Sequence, residues 1–272
     1  MERKRNFFWR LVSALFIGAL LILAINFSLT SSIFRIAQVE VEGTHNAALI
    51  REIQSMGMQG QNVFLVNVVG MTERIAESPL VASVSLSRQL PNQLVVTIVE
   101  RTPALLWQTA RGTYSVDGQG IVIAPAAETA DADHLQTVVN ITGRQSGPGA
   151  NGGSGTQNLQ SGTHLDQAEI NFALLLFGRL PKVVGLTTFK LYYDGTIYAS
   201  DKNQAGGYGS RGSYVVESSD GWKAYLGDAT DANPLANRLL ELQQILAQAQ
   251  KQQLNLATID LRYGLHPVYT LR

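Results

Sequence analysis

Between Arg10 and Arg35 the chain carries no charged residue, and Leu11 to Leu29 reads LVSALFIGALLILAINFSL. These 19 residues, at about 1.5 Å each, make a helix of roughly 28 Å, close to the hydrocarbon thickness of a bilayer. Arg3, Lys4, Arg5 and Arg10 stand against Glu2 in the preceding segment, a net charge of +3. The positive-inside rule then keeps the tail 1–10 cytoplasmic and leaves everything after Thr30 outside. A cleaved signal peptide is the competing reading, but its apolar region spans about 7 to 15 residues and ends at a small-residue site. Here the run is longer, and Asn26-Phe27-Ser28-Leu29-Thr30 makes a poor cleavage site. The expectation is an uncleaved single-pass anchor over 11–30 with the bulk of the chain extracytoplasmic.

Composition removes most chemistries. Lys plus Arg is 21 and Asp plus Glu is 21 over 272 residues, so no bulk positive charge is available to hold nucleic acid. Hydrophobic residues at 45% against charged ones at 15% exclude wholesale disorder. Cysteine is absent, which removes disulfides, thiolate nucleophiles and cysteine-ligated metals. His45, His134, His164 and His266 lie far apart, with no spacing that puts two on one helical face. Two G-x-G-x-x-G matches, at 147–152 and 207–212, run into more glycine and serine or into a strand pattern instead of a helix. Neither can cradle a phosphate at a helix N-terminus. No catalytic residue, cofactor, metal or small-molecule substrate is expected.

From Ser32 to Arg101 the pattern is strand, helix, helix, strand, strand. Val39 and Val41 alternate with Glu40 and Glu42 up to Gly43. Leu49, Ile50 and Ile53 have helical spacing, as do Val68, Met71 and Ile75 behind Asn67 as cap. Ala82, Val84 and Leu86 alternate with serines, and Leu94–Val99 is rich in β-branched residues. Two helices on one face of a three-stranded sheet would bury one core.

After Arg101 strands dominate: Ala104–Thr109, Thr113–Val116, Ile121–Ala124, Leu186–Tyr193, Thr196–Ala199, Tyr214–Glu217 and Trp222–Leu226. Asp117-Gly118, Asp194-Gly195 and Asp220-Gly221 read as turns between apolar runs. One helix is expected behind the capping-box pair Asp166 and Glu169. Another should follow Asn233 as cap and Pro234, with Leu235, Leu239, Leu242, Leu246 and Ala249 as its apolar stripe. A final strand alternates Ala257, Ile259, Leu261 and Tyr263 with Thr258, Asp260 and Arg262. Six glycines fall within 146–162, which reads as a flexible insertion. The fold class is therefore α+β: an anchor, a small mixed domain over 32–101, and a mostly antiparallel β domain over 102–272.

With these pieces placed, the chain resembles the bacterial divisome proteins called FtsQ, or DivIB in Gram-positive organisms. The likeness runs through Ile36-x-x-Val39-x-Val41-x-Gly43, Gly60-Gln61-Asn62-Val63-Phe64 and Ser78-Pro79-Leu80-Val81-x-x-Val84-x-Leu86-x-Arg88. It continues in Leu90-Pro91-Asn92-x-Leu94-x-Val96, Glu100-Arg101-x-Pro103-Ala104-x-x-Trp107, Val116-Asp117-x-x-Gly120 and Ile259-Asp260-Leu261-Arg262-Tyr263. Departures are the insertion at 146–162 and a loose stretch over Lys202–Ser213.

The resemblance implies a POTRA domain followed by a β domain, and a non-enzymatic protein at the division septum. It implies binding to FtsB/DivIC and FtsL beside the septal peptidoglycan synthases, linking early to late division proteins. Strand addition at an exposed last strand is the expected means: unpaired backbone groups give affinity and outward side chains give specificity. Ile259, Asp260, Leu261, Arg262 and Tyr263 are the expected partner-binding residues, Arg262 pairing with a partner carboxylate. The opposing reading makes that segment a buried strand with Arg262 merely solvated. Two other classes compete: an anchored POTRA protein of envelope biogenesis or transport, and an anchored envelope hydrolase. A barrel transporter needs many more strands than the segment after Arg101 offers. A hydrolase needs a convergent nucleophile–base or metal set, and none is visible.

Overall fold

The computed structural model describes residues 2–142, 159–195, 212–231, 233–262 and 266–272, which fall into two units, Met1–Glu100 and Arg101–Arg272. The first begins with helix α1 (Glu2–Thr30). Its segment Val12–Thr30 is long and apolar enough to cross a membrane, and none of it is buried inside the chain.

Five further elements complete this unit: β1 (Gln38–Glu42), α2 (Ala47–Gln54), α3 (Val68–Ala76), β2 (Val81–Gln89) and β3 (Gln93–Glu100). The sheet order is β1-β3-β2, with β1 parallel and β2 antiparallel to the central β3. Asn46 caps α2 by accepting from the backbone N–H groups of Ala48 and Leu49, and Asn67 caps α3 at Gly70. Both helices lay their apolar stripes on one face of the sheet. Leu49, Ile53 and Ile75 meet Val39, Leu94, Val96 and Ile98 in a single core. Gly43 ends β1 at φ +83°, and a Cβ there would collide with the carbonyl of Ile98. Only glycine fits that crossing.

Unit two is built on a nine-stranded sheet. Its strands are β4 (Leu105–Gln108), β5 (Thr113–Val116), β6 (Val122–Pro125), β7 (Thr137–Asn140), β8 (Phe189–Asp194), β9 (Ser213–Ser218), β10 (Lys223–Gly227), β11 (Leu256–Asp260) and β12 (Val268–Leu271). Their order is β12-β11-β10-β9-β8-β7-β4-β5-β6. The pairs β4–β7, β7–β8 and β10–β11 are parallel and the other five antiparallel. Helices α4 (Gln167–Arg179) and α5 (Leu235–Gln252) share one core with the inward strand residues. Ile170, Leu176, Leu239 and Leu242 join Trp107, Val138, Leu191, Val216 and Ile259 there, and the Tyr214 ring packs at a tilt between those of Phe172 and Tyr193.

The motif residues after Arg101 are structural pins. Arg101 pairs with Asp117 at 2.6 Å, and the same carboxylate accepts from the N–H groups of Gln119 and Ile121. Gly120, at φ +88°, leaves room for the carbonyl of Leu165.

Several expectations shift. β7 and β12 are strands of four residues each that no expected strand covers. The strand expected over Leu186–Tyr193 begins at Phe189, because a π-type turn over Leu180–Val184 and Gly185 at φ +78° come first. Pro234, not Asn233, occupies the cap of α5; the Asn233 amide reaches Glu241 instead. Asp166 caps α4 as expected, but Glu169 turns inward and is buried. The glycine-rich segment is not loose throughout, for Leu159 is only 3% exposed and belongs to the core. The strand expected over Thr196–Ala199, most of the 146–162 insertion and nearly all of the second glycine motif lie outside the described residues.

Candidate partner-binding site

Along the end of β11 and the two residues after it, side chains alternate between the core and the opposite side. Ile259 and Leu261 are fully buried in the core of the second unit, so they act as packing. Asp260 and Arg262 lie largely covered on the opposite side and pair with each other: Arg262 Nε donates to Asp260 Oδ1 at 2.8 Å and Nη2 donates to Oδ2. The guanidinium sits over the Tyr225 ring of β10, 4.9 Å from its centroid. Three residues from adjacent strands thus form one small charged and aromatic cluster. Tyr263 lies outside the described residues.

The expectation that this segment is an exposed terminal strand is corrected. β11 is flanked on both sides, by β10 in parallel (Ala224 opposite Ile259) and by β12 in antiparallel register (Tyr269 opposite Ile259). β12 ends the strand order, and among the described residues no strand pairs with its outer side. All four of its residues are exposed, with Val268 at 54%, Tyr269 at 41% and Leu271 at 51%. Pro267 precedes it and Arg272 follows, whose backbone N–H donates to Asn255 and whose guanidinium reaches the carbonyl of Asp220 at 3.3 Å. The interior of β12 carries no charge and no proline, the devices that usually blunt an edge. Thr270 bonds Thr258 across the pair at 2.7 Å, which fixes the register.

Behind this edge, a cavity of about 400 Å³ opens between the end of α5 and the start of β11, lined by Trp222, Leu246, Ala249, Leu254 and Leu256 among others. Asp220 is the one titratable residue among its described lining. Among the described residues no group of three or more His, Asp or Glu side chains could hold a metal.

The most perturbed carboxyl lies elsewhere. Glu169 is pushed up to about 7, first by burial and then by the charges of Asp228, Asp166 and Asp231. Nearby, buried Arg238 is engaged by Asp231 at 2.9 Å and by the carbonyls of Leu226 and Asp228. Glu169, Asp228 and Arg238 are buried, and Glu169 lines neither that cavity nor the β12 edge. Its backbone carbonyl accepts the Tyr214 hydroxyl at 2.8 Å, tying α4 to the sheet.

Comparison with known proteins agrees with this architecture. Residues 34–101 match the family described as POTRA domain, FtsQ-type. The chain is 30% identical over 172 residues to the cell division protein FtsQ of Chloroflexus aggregans, covering 63% of this chain and 58% of that protein. The FtsQ of Chloroflexus aurantiacus is 30% identical over 171 residues with the same coverage. That of Corynebacterium glutamicum is 30% identical over 89 residues, 32% of this chain and 40% of the relative. The match therefore spans less than two thirds of these relatives' length. The chain is thus similar to a POTRA domain of the FtsQ type over residues 34–101, and over part of their length to cell division proteins named FtsQ.

Proposed function

We propose that the chain is a membrane-anchored, non-enzymatic member of the division complex. In this reading α1 crosses the membrane with its basic tail in the cytoplasm, and two folded units stand outside at the septum. The second unit captures an extended segment of a bitopic partner of the FtsB/DivIC or FtsL type, beside the septal peptidoglycan synthases. The partner's segment adds a tenth strand to the sheet on the outer side of β12.

One observation carries this reading: β12 offers an open backbone edge together with four exposed side chains, Val268 to Leu271. Main-chain pairing supplies affinity without sequence demands, and alternate side chains supply selectivity. The Asp260–Arg262–Tyr225 cluster lies one and two strands inward, so it supports the edge and reads only the flank of an arriving strand.

The test is a titration of the full chain in nanodiscs with the extracytoplasmic segment of an FtsB/DivIC-type protein. Tyr269→Ala and Leu271→Asp should each weaken binding while the melting temperature stays near that of the parent. Unchanged affinity in both variants would remove β12 from the site.

A further inference from the structure

The first unit is apolar on the side that meets the end of α1. Asn62 donates from Nδ2 to the carbonyls of Ser28 at 2.9 Å and Leu29 at 3.1 Å. Both are carbonyls that the last turn of a helix leaves without helical partners. Arg35 bridges Asn62, and the Val63 N–H donates to Phe34 at 2.8 Å. The Phe34 ring packs between Phe27 of the helix, 6.3 Å away, and Phe64 of the turn, 5.3 Å away. The 62–66 turn is therefore held directly against the end of the apolar span.

What that turn presents outward is unusual for a water-facing surface. Ile33 is 53% exposed, Phe64 42%, Leu65 67% and Val69 68%. Such a cluster marks a surface that something apolar covers. The charge pattern identifies what. No Asp or Glu occurs from Arg3 to Val39, from Gln61 to Thr72, or from Ser78 to Val99. The first carboxylate beyond, Glu73, lies one turn further along α3 than Val69. Two arginines stand at this end instead. Arg35 is exposed, and Arg88 bonds the carbonyls of Val63 at 2.8 Å and Val66 at 3.1 Å.

We propose that this face, formed by Ile33, Phe64, Leu65 and Val69 with Arg35 and Arg88, rests in the headgroup and glycerol zone of the bilayer that α1 crosses. The inference rests on the anchor reading above and adds to it: the first unit lies on the membrane instead of swinging free on its tether. Apolar side chains with flanking arginines and no carboxylates suit a phospholipid interface, where guanidinium groups meet phosphates. Continuity with the span favours lipid over a protein partner, since any segment covering this face would have to displace the lipid around Phe27 and Phe34.

The absence of cysteine permits single-site labelling. Full chain carrying one environment-sensitive fluorophore at Leu20→Cys, Leu65→Cys, Val69→Cys or Val99→Cys is reconstituted in vesicles of phosphatidylethanolamine and phosphatidylglycerol. Quenching by lipids with a doxyl group near the head of the acyl chain is then measured. Val99 is the control: it is 56% exposed and lies at the far end of β3 from Gln93, which pairs with Gln38 beside the helix exit. Labels at 65 and 69 should be quenched several-fold more than the label at 99, with the label at 20 protected from aqueous quencher. Protection at 20 with 65 and 69 quenched no more than 99 overturns the inference and leaves the anchor standing. Shielding of 65 and 69 from water without lipid quenching assigns the face to protein and overturns it too. An aqueous label at 20 removes the anchor and this inference together.

Discussion

The two ends of the nine-stranded sheet are finished in opposite ways. At the β6 end the strand is short and stops at Pro125, and its outer side is taken: Val122 donates to Thr163 and accepts from Gly162, and Ile121 bridges His164. Leu159, buried beneath, anchors the covering segment. At the β12 end four exposed residues form a strand whose outer side has no described neighbour. An open edge is a liability that a chain closes unless something else is meant to pair there. This chain covers one end with its own backbone, and the proposed function assigns the other end to a partner.

The largest expected effect breaks the closed end. Leu159→Asp puts a charge into the core and should cost roughly 3 kcal/mol or more. Thermal melts would show a lowered transition, and light scattering should show concentration-dependent association as β6 is uncovered. An unchanged melt would mean that the covering segment does not seal this edge.

A control acting on neither edge comes next. The folded state of Glu169 holds its proton up to about pH 7, against an ordinary 4.5 when unfolded. Between those values the native state binds the extra proton, so stability falls as pH rises from about 4.5 to about 7 and is flat above. Glu169→Gln should flatten that slope and gain on the order of 2 kcal/mol at pH 8. Denaturant titrations at several pH values check it, and partner affinity should not move.

Leu271→Asp sharpens the comparison from the open end. It should lower partner affinity about tenfold while changing stability by less than about 0.5 kcal/mol. The smallest effect is at Arg262. Arg262→Glu sets a second carboxylate beside Asp260 and removes the stack on Tyr225, at a cost of about 1 kcal/mol in stability. The unit should stay folded and bind the same partner more weakly. Affinity equal to the parent in a calorimetric titration would confine Arg262 to a structural role.

Local patterns in the sequence were enough for α1, for the β-α-α-β-β order and for both helices of the second unit: α1 rests on an uncharged apolar run, and the others on periodicity, with caps at α2, α3 and α4. Strand neighbours were not legible, since pairing is set by residues far apart in the chain. Ala257 to Tyr263 alternates well and so reads as a terminal edge, yet β11, Leu256–Asp260, is enclosed by β10 and β12. β12 itself escaped because four residues behind Pro267 are too few to display a period. Leu159 was lost in the glycine average around it. Glu169 has true capping-box spacing, but its helix faces the core, and burial overrode the local bond.

Hydrogen exchange of the full chain in nanodiscs, with and without the FtsB/DivIC-type segment, tests the β12 assignment most directly. The backbone amides within residues 266–272 that do not bond β11 or Asn255 should exchange quickly alone and become protected on adding the segment, while those of Val122–Pro125 stay unchanged. Protection elsewhere with none at 266–272 would contradict strand addition at this edge.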